Sequence, residues 1–129
     1  MAESIVESST EEVLNVAKTK RIRVLHVDDD QAFLSIAKQC LEMQGEIDVD
    51  TVSSVKEASE RLKKTDYDAI VCDYQMPGKD GLEFLKELRA NGNNIPFIVF
   101  TGKGREEIAM KALNSGVDGY FSKHGERAR

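Results

Sequence analysis

Residues 66–81 read DYDAIVCDYQMPGKDG, and this stretch decides the fold. Ala69 to Cys72 is a short apolar run rich in β-branched residues, the pattern of a strand buried on both faces. Asp73 stands at its carboxyl end. Pro77, Gly78 and the Asp80-Gly81 pair then break the strand. Gly81 leads into LEFLKEL, where Leu82, Leu85 and Leu88 recur at helical spacing. Ligands of open parallel sheets bind outside the carboxyl ends of strands, so Asp73 is either a site residue or an acid that caps the loop.

Working outward, the same alternation recurs. Upstream, Ile22 to Val27 is a buried strand ending in Asp28, Asp29 and Asp30, followed by a helix with Phe33, Leu34, Ile36, Ala37, Cys40 and Leu41 facing inward and Gly45 as its stop. Ile47 to Val52 alternates as an edge strand does. Val55, Ala58 and Leu62 mark the next helix. Downstream of the Gly81 to Ala90 helix comes the turn NGNN, then an apolar strand from Pro96 to Thr101 with a polar end. Ile108, Met110, Ala112 and Leu113 build another helix, Gly116 closes it, and Tyr120 to Ser122 forms a last short strand. Five such alternations predict a parallel sheet with helices on both faces.

The flanks and composition limit the function. Residues 1–20 are predicted to be an N-terminal arm carrying a short helix over about 10–18, with Ser9 and Glu12 as a capping box and Val13, Leu14, Val16 and Ala17 as an apolar stripe. The 129 residues make one domain. A formal charge of -5 argues against a nucleic-acid surface, and the basic run Lys18, Lys20, Arg21 and Arg23 is expected to be a solvated edge. The longest apolar run, Ile95 to Phe100, is too short for a bilayer, and the N-terminus does not have the pattern of a signal peptide. A cytoplasmic protein without membrane contact is expected. Cys40 and Cys72 are expected to be buried core thiols, and His26 a hydrogen-bonded core residue.

Strand ends in a parallel sheet share one rim, which here collects the acids at 28–30, Asp73, Thr101 and Lys123. Converging carboxylates repel one another unless a cation intervenes, and Mg²⁺ accepts a few carboxylates with waters and a phosphate. The Thr101 hydroxyl and the Lys123 ammonium suit a phosphoryl oxygen. This set describes phosphoryl transfer to a carboxylate, with Asp73 as nucleophile.

The motifs VLHVDDD, AIVCDYQMPGKDG, FIVFTGKG and VDGYFSK, in that order, resemble the receiver domain of two-component response regulators over about residues 21–124. The resemblance implies a flavodoxin-like, doubly wound five-stranded sheet in the order 2-1-3-4-5, with the receiver occupying residues 21–126. It implies that Asp28 and Asp29 hold Mg²⁺, that Asp73 accepts the phosphoryl group, and that the Gln75 main-chain carbonyl completes the metal's protein ligands. Thr101 and Tyr120 look like the family's switch pair, and Lys123 like its site lysine. Asp30 matches no ligand position and is expected to cap the next helix. The implied partner is a sensor histidine kinase or a histidine phosphotransfer protein. The domain would catalyse its own phosphorylation and dephosphorylation without being a conventional enzyme, with Gln75 and Lys103 modulating hydrolysis.

The sequence departs from the family in two places. His124 follows Lys123 where the family usually has proline, so a trans Lys123–His124 bond is expected. Only HGERAR follows Lys123, so the family's final helix is expected to be truncated, and the N-terminal helix is expected to take over part of its cover; the alternatives are a homodimer or a further domain outside this sequence. The competing functions are a non-phosphorylated receiver-like interaction module and a phosphatase with an aspartyl-phosphate intermediate. The phosphatase motif needs an acid where Gln75 stands.

Overall fold

The computed structural model describes residues 21–102 and 106–123. The expected N-terminal arm and its helix, Lys103, and the Lys123–His124 bond lie outside the described residues. Nine elements alternate: β1 (Ile22–Val27), α1 (Gln31–Glu42), β2 (Ile47–Val52), α2 (Val55–Lys64), β3 (Ala69–Asp73), α3 (Gly81–Ala90), β4 (Phe97–Thr101), α4 (Glu106–Asn114) and β5 (Gly119–Ser122). All strand pairs are parallel, and the order is β2-β1-β3-β4-β5. Register pairs Val27 with Cys72 and Asp73 with Phe100, which sets the ends of β1, β3 and β4 side by side. No helix among the described residues is long and apolar enough to cross a membrane.

Helices α1, α2 and α3 each start where a short polar side chain satisfies a free backbone donor. Asp30 accepts from Phe33 N at 3.1 Å, as its expected capping role requires. Ser54 caps α2 by accepting from Glu57 N at 3.1 Å. Asp80 and Glu83 form a reciprocal capping box on α3, each carboxylate accepting from the other's backbone N–H at 2.9 Å. The sequence reading took Asp80 only as part of a strand breaker. Gly45 and Gly116 end α1 and α4 with φ of +80° and +86°, where other residues are strained.

Strand alternation divides the sheet into two faces. Leu25, Val27, Ile70, Cys72, Phe97 and Val99 pack with Val55 and Ala58 of α2, Leu82, Phe84, Leu85 and Leu88 of α3, and Ala112 of α4 as the main core. The opposite face carries His26 and Phe100, and α1 lies there through Phe33, whose ring meets both edge-on at 5.6 and 5.7 Å. At the lower edge, Arg21 donates to both carboxylate oxygens of Asp48 at 2.9 and 2.6 Å, and Arg23 lies 3.8 Å from Asp50. Those two arginines therefore pair with acids of the β2 edge.

Two expected core positions differ. Ile36 is 61% exposed, and Cys40 is exposed rather than buried. At about 100° per residue, Leu34, Ala37 and Leu41 face the sheet while Phe33, Ile36 and Cys40 fall on one flank. That flank turns towards the β3–β5 half of the sheet, where no described helix lies. The apolar stripe of α1 is thus wider than its contact. Met110 and Leu113 of α4 are also exposed, whereas Ala112 is buried in the core.

Candidate functional site

The rim is built by backbone geometry first. Asp28 follows β1 directly and is fully buried; its backbone N–H donates to Val52 O at 3.1 Å, and its Oδ1 accepts from Asp30 N at 2.9 Å. Asp73 closes β3 and is 6% exposed. Beyond it the chain doubles back, and Gly81 N donates to Tyr74 O at 2.9 Å. A Cβ on Gly81 would lie 2.4 Å from the Asp73 carbonyl oxygen, so only glycine lets α3 start this close to the end of β3. Lys123 is fixed by its own N–H, which donates to Thr101 O at 2.9 Å.

Side chains converge on that scaffold. Ligand oxygens of Asp28, Asp29 and Asp73 lie within 4.8 Å of one another. Lys123 Nζ is 2.7 Å from Asp28 Oδ2 and 3.4 Å from Asp73 Oδ2. It also sits 4.8 Å above the Phe33 ring, a contact of useful size once desolvated. Phe33 was expected only to fill core; an aromatic in the first turn of the helix after an acidic strand end is the signal that could have placed it here. Asp28 Oδ2 is met by that ammonium and by no hydrogen bond of regular geometry.

The electrostatics follow from burial and crowding. Burial, then the Asp28 charge, pushes the Asp73 carboxyl up to about 6 against the opposing effect of Lys123 and the Tyr74 backbone. For Lys123, burial acts downward, but the hydrogen bond to Asp28 and both carboxylate charges outweigh it and raise its pKa. Burial raises the neighbouring Cys72 thiol well above its usual value, so Cys72 is an inert core thiol, as expected. His26 departs from expectation: it is fully buried, but neither ring nitrogen has a hydrogen-bond partner among the described residues. Burial holds it neutral, with its pKa lowered to about 4.

The remaining sequence candidates are placed as follows. Asp29 is exposed on the outer side of the acidic group. Gln75 is exposed in the loop after β3. Thr101 is buried at the end of β4. Tyr120 pairs in register with Val99, which puts its side chain on the same sheet face as Thr101, and its half-buried ring packs against the main core. Burial raises the Tyr120 phenol. The donor set fits a hard cation: three carboxylates, one of them with an under-served buried oxygen, and no thiol or imidazole ligand among them.

A family model described as "Response regulator receiver domain" matches residues 24–129. Response regulator MprA of Mycobacterium leprae is 33% identical over 102 residues, covering 79% of this chain and 44% of that protein. The chain thus spans less than half the length of the MprA relatives. Chemotaxis protein CheY-3 of Vibrio cholerae is 32% identical over 106 residues, covering 81% of this chain and 82% of the relative. Among solved structures, the receiver domain of Francisella response regulator 1452 aligns with a TM-score of 0.74 and 34% identity over 80% of this chain and 84% of its own. A CheY-like receiver domain protein of Methanospirillum hungatei aligns at 0.72 and 28% identity, covering 81% and 83%.

Proposed function

The chain belongs to the response regulator receiver domains, and from that premise we propose that Asp73 is the phosphoacceptor of a two-component signalling system operating in the cytoplasm. The observation that carries the reading is the buried Asp28–Lys123–Asp73 arrangement, with one ammonium within 3.4 Å of both carboxylates. A carboxylate next to a fixed cation and away from bulk water suits attack on phosphorus.

In this reading an Asp73 carboxylate oxygen bonds to phosphorus as the phosphorus–nitrogen bond of a partner's phosphohistidine breaks. The histidine nitrogen leaves with the electron pair and takes a proton from solvent. Lys123 orients the incoming group and balances the charge gathering on its oxygens. Asp28 and Asp29, with Asp73 and the Gln75 carbonyl, would hold Mg²⁺, which when bound neutralises the acids and the phosphoryl oxygens. Thr101 supplies a hydroxyl to the new phosphoryl group, and Tyr120 responds as the second member of a switch pair, shifting an existing equilibrium on the β4–β5 side. The phosphoryl donor is a sensor histidine kinase or a histidine phosphotransfer protein.

Intact-mass measurement after treatment with acetyl phosphate, with and without Mg²⁺, tests this. One added phosphoryl group is expected, dependent on Mg²⁺ and absent from Asp73→Asn. Labelling that persists in the variant or in chelator overturns the assignment, and no labelling of the parent favours the interaction module instead.

A further inference from the structure

We propose that Phe33 is a positioning residue, whose ring face holds the Lys123 ammonium at the point shared by Asp28 and Asp73. The proposal rests on the reading of Lys123 as the group that orients the incoming phosphoryl group, and adds the aromatic that keeps it there. Lys123 is anchored through its backbone N–H, which donates to Thr101 O at 2.9 Å, but a four-carbon stem then separates that anchor from the ammonium. Only contacts at the tip can place it. Those contacts are Asp28 at 2.7 Å, Asp73 at 3.4 Å and the Phe33 ring, whose centroid is 4.8 Å from Nζ. The lysine side chain is 14% exposed, so the ammonium is largely out of water, the condition in which a π face attracts a cation most strongly.

The ring is itself fixed in place. Phe33 lies in the first turn of α1, and its backbone N–H donates to the Asp30 cap at 3.1 Å. From the sheet, His26 of β1 meets the ring at 5.6 Å with an interplanar angle of 80°, and Phe100 of β4 meets it at 5.7 Å and 65°, the edge-on arrangement that ring quadrupoles favour. Two strands and a helix cap therefore set where the ring stands. Filling the core is the work of the next residue, Leu34, which is 3% exposed, whereas Phe33 stays half-buried. A leucine at position 33 would occupy much of the same space and offer no negative face to the ammonium.

A π face differs from the two carboxylates in one respect. Asp28 and Asp73 attract Lys123 less once a divalent cation shares their charge, but the ring keeps its quadrupole. Phe33 therefore retains Lys123 at the rim in the state in which the acids hold it least.

Nuclear magnetic resonance of the full chain with lysine carbon-labelled at Cε reads the contact directly, in chelator and without phosphorylation. The Lys123 signal, identified by its absence from Lys123→Met, is expected upfield of the other lysines through the ring current. It should join them in Phe33→Leu, stay upfield in Phe33→Tyr, which keeps the π face, and stay upfield in the parent when Mg²⁺ is added. Phosphorylation by acetyl phosphate should slow about tenfold in Phe33→Leu, which corresponds to ~1.4 kcal/mol in the barrier, and recover in Phe33→Tyr. In a Lys123→Met background, Phe33→Leu should add no further slowing, because a residue that acts through Lys123 has no effect once the ammonium is gone. A Lys123 signal unmoved by Phe33→Leu, or one that leaves its upfield position in Mg²⁺, overturns the proposal. So does a slowing that persists in the Lys123→Met background, which would make Phe33 a packing residue. A parent that takes no label defeats the assignment of Asp73 instead, and the lysine signal still decides whether Phe33 holds the ammonium.

Discussion

Asp73→Asn is expected to make the cation-free protein more stable at pH 8. The Asp73 carboxyl is lifted from 3.8 to about 6 by burial and by Asp28, so the folded state holds its proton more tightly than the unfolded chain does. Ionising it in the fold therefore costs stability. The cost is fully present above pH ~6, declines as the pH falls from there towards ~4, and is gone where both states are protonated. At ~1.4 kcal/mol per pH unit the ceiling is about 3 kcal/mol. The lost attraction to Lys123 is already included in that shift. A new amide needing partners reduces the gain to roughly 1–3 kcal/mol. Urea unfolding in chelator at pH 8 and pH 4.5 measures it, with a 2 kcal/mol gain moving the midpoint by roughly 1 M. Added Mg²⁺ should stabilise the parent more than the variant and narrow the gap, because a cation that binds only the folded state shifts the equilibrium towards it. A variant no more stable than the parent at pH 8, or a gain that does not shrink at pH 4.5, refutes the reasoning.

Lys123→Met removes the ammonium shared by Asp28 and Asp73, and phosphorylation by acetyl phosphate should slow by about two orders of magnitude; an unchanged rate by mass spectrometry would remove Lys123 from the mechanism. Gly81→Ala drives a methyl group against the Asp73 carbonyl and should cost about 1–3 kcal/mol, with slower labelling; calorimetry showing no loss would mean that α3 can shift freely. His26 is held neutral with its pKa lowered to about 4, so it charges more readily when unfolded, and its contribution to stability is lost as pH falls from ~6.5 through ~4. His26→Leu should therefore gain on the parent by up to about 3 kcal/mol across that window, and parallel stability curves for the two proteins from pH 7 to pH 4.5 would contradict this.

How much was legible in the sequence depended on whether a signal was local. Ile22–Val27 and Ala69–Asp73 are continuous apolar runs that end in acids, and strand ends in a parallel sheet must share a rim, so Asp28, Asp73, Thr101 and Lys123 could be gathered without coordinates. The cap at Asp30 was legible for the same reason, since its partner lies three residues away. Periodicity alone could not tell how wide a stripe is buried. Ile36 and Cys40 fit a helical face as well as Leu34 does, but exposure depends on which neighbours lie beside α1, and among the described residues both are exposed. The same holds for Gly81, which could be read as a helix lead-in, whereas its 2.4 Å approach to Asp73 exists only once β3 and α3 are packed. The pairing of Lys123 with both carboxylates, and the burial that lifts Asp73 and leaves His26 unpartnered, likewise arise from tertiary packing. The sequence determined which groups meet at the rim, because strand direction is a local property. Only the tertiary structure decided their distances and protonation, because those depend on desolvation by residues far apart in the chain.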